Sequence, residues 1–414
     1  MIWLWASLAA AVDVDLSGDV KTFGVVAFPY EWVALDPASE AALGLVGLDP
    51  VDLGFGARST FLGIASGRLK LRATAGPLRL DAHHVLVGRS PAEADFLPGA
   101  GAAPPAPQAV DLDWEHEVLS GRTDRLALSW RPEGWSVALG RQPLTFGTGL
   151  VFTPMDVVNP FHPATIDTEY KPGVDALRVD RFLGVGGRLT LVAAWVGPPI
   201  ADPVLWADGI LAATGQTTVG LTDLHGFAGV VRTEPVIGVG VASAVGGIGV
   251  HGDATLTLGE APFVRSVAGA VWRPTPTTTL TGEAYLQTFG AARPEGYLEV
   301  ATSDRFARGE VWQMGRYYAS LSVAEELTPL IGGTLALVAN LADPSALGVL
   351  GLTWSVADEA VVSAGAYLGL GARPDRVEVG LDGAGPTLQD LAPTVRSEFG
   401  LYPHAAYVQM SAYF

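Results

Sequence analysis

Between positions 58 and 74, Arg58, Thr60, Ser66, Arg68, Lys70, Arg72 and Thr74 fall on one parity, and Phe61, Ala65, Leu69, Leu71 and Ala73 on the other. Side chains of an extended strand alternate between its two faces, so this spacing raises a ladder of cations on one face and an apolar strip on the other. Such a ladder can attract and pass charged solutes, and it cannot face hydrocarbon. The following segment repeats the device, with Arg79, Asp81 and His83 opposing Leu78, Leu80 and Leu86. Arg125, Arg178, Asp180 and Arg188 extend the polar parity along the chain. Further on, Thr279, Glu283, Tyr285 and Gln287 share one side of a segment, and Arg316, Tyr318, Ser320 and Ser322 share one side of the next. The chemistry implied is that of a charged, water-filled interior; the alternative is an interior closed by charges that neutralise one another.

Bond-making chemistry finds little support. The histidines are His83, His84, His116, His162, His225, His251 and His404, and none stands in a nucleophile or metal motif. His83 and His84 would point to opposite faces of a strand and cannot chelate one metal together. There is no G-x-S-x-G, H-E-x-x-H, phosphate-binding loop or dinucleotide fingerprint, and cysteine is absent. No enzyme activity, cofactor or metal is expected. A formal charge of −18, from 25 Lys plus Arg against 43 Asp plus Glu, argues against a nucleic-acid partner.

The elements that must carry these faces are strands. Apolar residues make up 49% and charged ones 16% of the 414 residues, with mean hydropathy +0.32, yet no apolar run is long enough for a membrane helix. High apolarity without long runs is what a barrel with one lipid-facing side requires. Period-two segments lie near 14–27, 58–74, 77–87, 124–131, 134–142, 174–182 and 187–196, then once within 223–245. Others lie near 248–257, 263–273, 277–289, 309–323, 328–340, 346–356, 360–370 and 397–414. That gives about 16 strands, with 14–18 the range. Counting 223–232 and 236–245 separately makes the total odd, whereas single-chain bacterial barrels are even-numbered.

Tight reversals are expected at Ala75-Gly76, Pro132 to Gly134, Gly184 to Gly187, Gly246-Gly247 and Arg273 to Pro276, all on one rim. Long connections at 28–57, 88–123, 143–173, 197–222, 290–308 and 371–396 belong to the other. Residues 1–11 read as a signal peptide with its start possible further upstream, leaving 12–414 as one barrel domain. The last residues alternate to the end, Ala406, Val408, Met410, Ala412 and Phe414 against Ala405, Tyr407, Gln409, Ser411 and Tyr413.

The most individual stretch is Gly140-Arg141-Gln142-Pro143-Leu144-Thr145-Phe146-Gly147-Thr148-Gly149. It is followed by Pro154, Asp156, Asn159-Pro160-Phe161 and a strand opening at Gly173-Val174-Asp175. This region resembles that of porin-like outer-membrane channels of the alginate-export type, and the terminal Tyr413-Phe414 resembles the aromatic signature read by the barrel-assembly machinery. The resemblance implies residence in a bacterial outer membrane, contact with its lipid and lipopolysaccharide, and a homotrimer. It also implies an inward fold of 143–173 that narrows the lumen. Asp156, Asp167, Glu169 and Asp175 would then face the wall cations Arg68, Lys70, Arg72, Arg79 and Arg178 across the aperture. Arg141 shares parity with Trp135, Val137 and Leu139, so it needs a bulge or a rim position to escape lipid. The reading favoured is a porin-like channel for passive diffusion of small hydrophilic or charged solutes. A closed barrel acting as an envelope scaffold, or a lipid or envelope enzyme, is the alternative.

Overall fold

The computed structural model describes residues 12–28, 30–31, 33–45, 59–90, 110–158, 169–195, 209–379 and 394–414. Residues 1–11, and with them the expected signal peptide, lie outside that set.

The polypeptide closes into an antiparallel transmembrane barrel of 18 strands. In chain order, β1 is Val12–Phe28, β2 Val33–Leu35, β3 Thr60–Ala75, β4 Leu78–Arg89, β5 Trp114–His116, β6 Leu119–Trp130 and β7 Trp135–Gln142. Then come β8 Val174–Phe182, β9 Arg188–Trp195, β10 Gly209–Val219, β11 Thr222–Val231, β12 Glu234–Val245, β13 Ile248–Thr257, β14 Phe263–Trp272 and β15 Thr278–Gln287. The remaining strands are β16 Tyr317–Thr328, β17 Ile331–Asn340, β18 Ser345–Ala357, β19 Ala360–Leu370, β20 Val377–Val379 and β21 His404–Tyr413. Each wall strand pairs with its neighbours, and β21 pairs with β1 from Asp19↔Tyr413 to Phe28↔His404, so no edge is left open. Phe414 exchanges backbone hydrogen bonds with Gly18 at 2.9 and 3.1 Å, which seals the closing seam. β2 and β20 form a separate parallel pair beside a helix at Pro37–Leu45, and β5 folds back on the start of β6 without joining the ring.

Two corrections raise the strand count from about 16. β10 lies inside the stretch read as the 197–222 connection; its parity signal is blurred because inward Ile210 and Ala212 are as apolar as outward Leu211. The 223–245 stretch holds two strands, β11 and β12. Their reversal is Arg232-Thr233, both at positive φ (49° and 72°), a hairpin turn ordinarily carried by Gly or Asn. The total stays even, as in single-chain bacterial barrels, because β10 adds a second strand. The 309–323 and 397–414 segments also shorten, to a strand beginning at Tyr317 and one beginning at His404.

Apart from Arg232-Thr233, the tight reversals fall on one rim, with Gly246 and Gly247 (φ 58° and 82°) supplying the two positive-φ positions of a tight hairpin. Longer segments gather on the other. Outward positions are exposed and apolar: Leu69, Leu128, Leu139, Val239, Leu335, Leu352 and Val408 among them. The terminal strand follows its expected parity, with Val408, Met410 and Phe414 outward and Ala405 and Ser411 buried inside.

Candidate functional site

On the inner wall, Arg72, Lys70 and Arg68 rise along β3 at steps of about 7 Å, flanked by Asp19 and Lys21 of β1. Across β4, Asp81 takes Arg79 Nε at 2.6 Å and Arg72 Nε at 3.2 Å. On β6 the register slips opposite His83 and His84, so one extra residue is accommodated and both Asp124 and Arg125 turn inward. Asp124 then takes Arg68 at 2.6 Å and Arg122 at 2.7 Å. Lys70 lies 3.1 Å from Asp19. Arg125 has no hydrogen bond or ion pair among the described residues, and it stands beside Arg68 and His83. His83 is buried inward, while His84 points outward to Thr123 Oγ1 at 3.1 Å.

Toward the long-segment rim the same strands change character. Two residues beyond Lys21 stands Phe23, then Val25; on β3, Ile64 and Leu62 follow Arg68. With Tyr407, Tyr367, Tyr285, Tyr318 and Phe399, and with Phe152 of the segment after β7, they form a packed, mostly buried apolar and aromatic cluster on the long-segment side of the barrel.

The segment after β7 folds into the barrel. Its backbone is held by two wall carboxylates. Asp253 Oδ2 on β13 accepts from the amides of Thr148 and Gly149 (2.6 and 2.9 Å), and Oδ1 from the Thr148 hydroxyl at 2.8 Å. Glu283 on β15 accepts from the amides of Leu150, Val151 and Phe152 (2.7, 2.9 and 3.0 Å) and pairs with His251 Nε2 at 2.7 Å. Phe152 stacks on Tyr285 with ring centroids 4.7 Å apart. Leu144, Met155, Val157 and Val158 pack against the inner faces of β8 to β12, which explains why Ile210 and Ala212 are apolar. Lys171 ties the segment to itself through Asp156 and the Leu144 carbonyl. Its far end reaches the cationic wall: Glu169 takes Lys21 at 2.7 Å and Tyr413 Oη at 3.0 Å. Tyr170 lies over Arg68 at 4.2 Å and is hydrogen-bonded by Lys70.

These placements revise the expected transverse field. Asp156 is consumed by Lys171 and Glu169 touches Lys21 directly, so neither carboxylate stands across an aperture from the cations. Asp175 lies on the outward face with Arg141 as its cross-strand partner. Asp167, like Arg58 and Asn159-Pro160-Phe161, lies outside the described residues. Glu283 is on the inner wall, but it anchors the inward segment. Arg178 and Asp180 pair on β8 (2.9 Å), and Arg188 binds Gln216 Oε1 at 3.0 Å, as a second polar cluster. Arg316 precedes its strand and binds the Gly290 carbonyl at 2.9 Å. Beyond the residues legible in the sequence, Asp19, Lys21, Asp124, Tyr170, Lys171, His251 and Asp253 shape this interior. The inward parity His251, Asp253, Thr255 was open to the same reading; the roles of Tyr170 and Lys171 follow only from how the segment folds.

At the rim, Glu398 is buried where three segments meet. It accepts from the Met314 amide (2.9 Å), Asn340 Nδ2 (2.6 Å) and the Tyr318 hydroxyl, while Asp343 accepts from the Glu398 amide and the Tyr297 hydroxyl (3.0 and 2.6 Å). Burial pushes the Glu398 carboxyl up to about 7, against the lowering effect of those donors. Among the described residues, no group of side chains could hold a metal ion.

No protein-family model and no curated protein matches the chain. Among solved structures it is similar to OccAB2 of Acinetobacter baumannii, at 9% identity over 97% of this chain and 98% of that one, TM-score 0.55. It is likewise similar to Pseudomonas aeruginosa OpdK, solved with vanillate (10%, 97% and 98%, TM-score 0.52). A third is OccD3 (OpdP) of the same organism (9%, 97% and 91%, TM-score 0.52). At these identities the likeness is one of fold, a closed barrel of porin type.

Proposed function

We propose that this barrel is a porin-like channel of a bacterial outer membrane, with its short turns toward the periplasm, through which small solutes diffuse passively. It favours anions that carry an apolar portion. The observation that supports this reading is the inner wall of β1, β3, β4 and β6, which carries Arg68, Lys70 and Arg125, the last without an ion pair among the described residues, and whose strands run on toward the long-segment rim into an apolar and aromatic cluster. A carboxylate on an aromatic or aliphatic body matches both halves, and charge placed on a pore wall selects by sign. The fold likeness to OpdK, solved with vanillate, an aromatic carboxylate, supports the same solute class. No catalytic step is part of this proposal.

One observation favours the scaffold alternative: the inward segment fills the lumen beside β8 to β12 with a packed apolar cluster. Conductance separates the two. Purified barrel in a planar bilayer under a salt gradient is expected to give steady unitary currents with an anion-selective reversal potential. The double variant Arg68→Ala with Arg125→Ala should move that potential toward cations. A correctly inserted barrel without conductance would refute the channel; conductance whose selectivity ignores both arginines would refute the assigned wall.

A further inference from the structure

The most specific sequence feature, Gly140-Arg141-Gln142 paired with Val174-Asp175-Ala176, turns Gln142 and Val174 inward but places its charged pair, Arg141 and Asp175, on the outer face of the wall. Arg141 stands on the outward parity of β7, where Leu139 is 62% exposed, yet Arg141 itself is 2% exposed. Its guanidinium forks onto Asp175, Nε to Oδ1 at 3.0 Å and Nη2 to Oδ2 at 3.1 Å. It also donates to the carbonyls of Thr123 (3.0 Å) and Val110 (2.6 Å). Asp175 in turn accepts from the Val110 amide at 3.2 Å, and Asp113 accepts from the Thr123 amide at 3.0 Å. The segment at 110–113 is thereby strapped over the outer face of β6, β7 and β8, covering a charge pair that lipid would not tolerate.

Position gives the pair its meaning. Arg141 and Asp175 are cross-strand partners, the penultimate residue of β7 and the second of β8, beside the points where the chain leaves the wall to enter the lumen and returns to it. Gly140 has φ 116° and packs on the Leu126 carbonyl, and Gly173 packs on Arg141 and the Asp124 carbonyl, so a Cβ at either site would collide. Inside, Gln142 Nε2 donates to the Ala176 carbonyl at 3.0 Å. Both faces of the wall are fastened at this one place.

We infer that Arg141 and Asp175 are positioning residues of the channel: an ion pair outside the pore that fixes the entry and exit of the inward segment and hence the aperture. This rests on the channel reading above, and its test is chosen to fail separately. Wild type, Arg141→Met, Arg141→Lys and Asp175→Asn are compared by bilayer recording and by amide hydrogen exchange of residues 144–158, after heat-modifiable mobility confirms an intact barrel. Arg141→Met and Asp175→Asn are expected to change unitary conductance, add current flicker and speed exchange in 144–158, with the reversal potential unmoved because no lumen charge is altered. Arg141→Lys keeps the charge but loses the fork, and should fall between. Unchanged exchange and conductance in inserted variants would overturn the inference. So would a shifted reversal potential at constant conductance, or failure of both variants to form a barrel. If wild type does not conduct, the channel reading falls and the exchange measurement alone decides the clamp.

Discussion

Replacing Glu283 tests how the inward segment is held. The carboxylate receives three backbone amides, from Leu150, Val151 and Phe152, at 2.7 to 3.0 Å. Hydrogen bonds to a charged group contribute about 1.5–3 kcal/mol each, and at the lower figure the three together amount to about 4–5 kcal/mol. Glu283→Gln keeps the shape and one acceptor oxygen but sets an amide donor against the backbone donors, so roughly half to two-thirds of that contribution should go, about 2–3 kcal/mol. Because 1.4 kcal/mol is a factor of ten, protection factors for the amides of 150–152 should drop by about 30- to 150-fold. The Asp253 anchor keeps Thr148 and Gly149 in place, so their protection should change far less. Hydrogen exchange with peptide-level resolution reads both stretches in one experiment, and a bilayer recording should find larger, noisier openings. Equal protection of 150–152 in wild type and Glu283→Gln would refute the claim that this carboxylate holds the segment.

Two further outcomes follow from buried charges. Glu398, raised to about 7 from an ordinary value near 4.5, stabilises the rim most fully below the ordinary value and loses that contribution as pH rises through 7. Asp343, Tyr297 and Tyr318 face it without a cation among the described residues, so protection of the Met314 amide, corrected for intrinsic exchange, should fall between pH 5 and about 8; Glu398→Gln should abolish the trend, and a trend that survives it would exclude Glu398 as the source. Lys171→Met strips Asp156 of its cation inside the barrel and should cost about 3–5 kcal/mol of local stability, seen as lost exchange protection around Met155 to Val157. Adding Asp156→Leu should recover most of it, and a double variant as weak as the single would count against the pair.

The sequence carried the fold because period-two alternation is enforced residue by residue wherever one face meets lipid. The cationic face of β3 and the apolar parity of β21 needed no tertiary information. Legibility failed where that enforcement lapses. At β10 both faces are apolar, the inner one because the folded-in segment covers it, and at Arg232-Thr233 the turn is written in residues that seldom adopt positive φ. The candidate site was legible on the wall and not within the loop. That Asp156 would turn to Lys171, and Asp175 to Arg141 on the opposite face, depends on the path of a non-regular backbone that no spacing encodes.

Placement also reverses what the net charge suggests. An excess of acid over base implies a protein that repels anions, yet exposed acids such as Asp111, Glu115, Glu117, Glu295, Glu299 and Asp304 sit on rim segments in open solvent. At physiological ionic strength their fields decay over about 8 Å. Arg125 stands on a partly desolvated wall where screening is weaker, while Arg68 beside it is offset by Asp124 at 2.6 Å. On the channel reading proposed above, an anion would meet a weak, salt-sensitive repulsion at the mouth and a less screened attraction at Arg125 inside. On that reading the sign of selectivity would follow the few charges that face the path; alternation makes those of β3 and β4 visible, whereas the register slip on β6 hides Asp124.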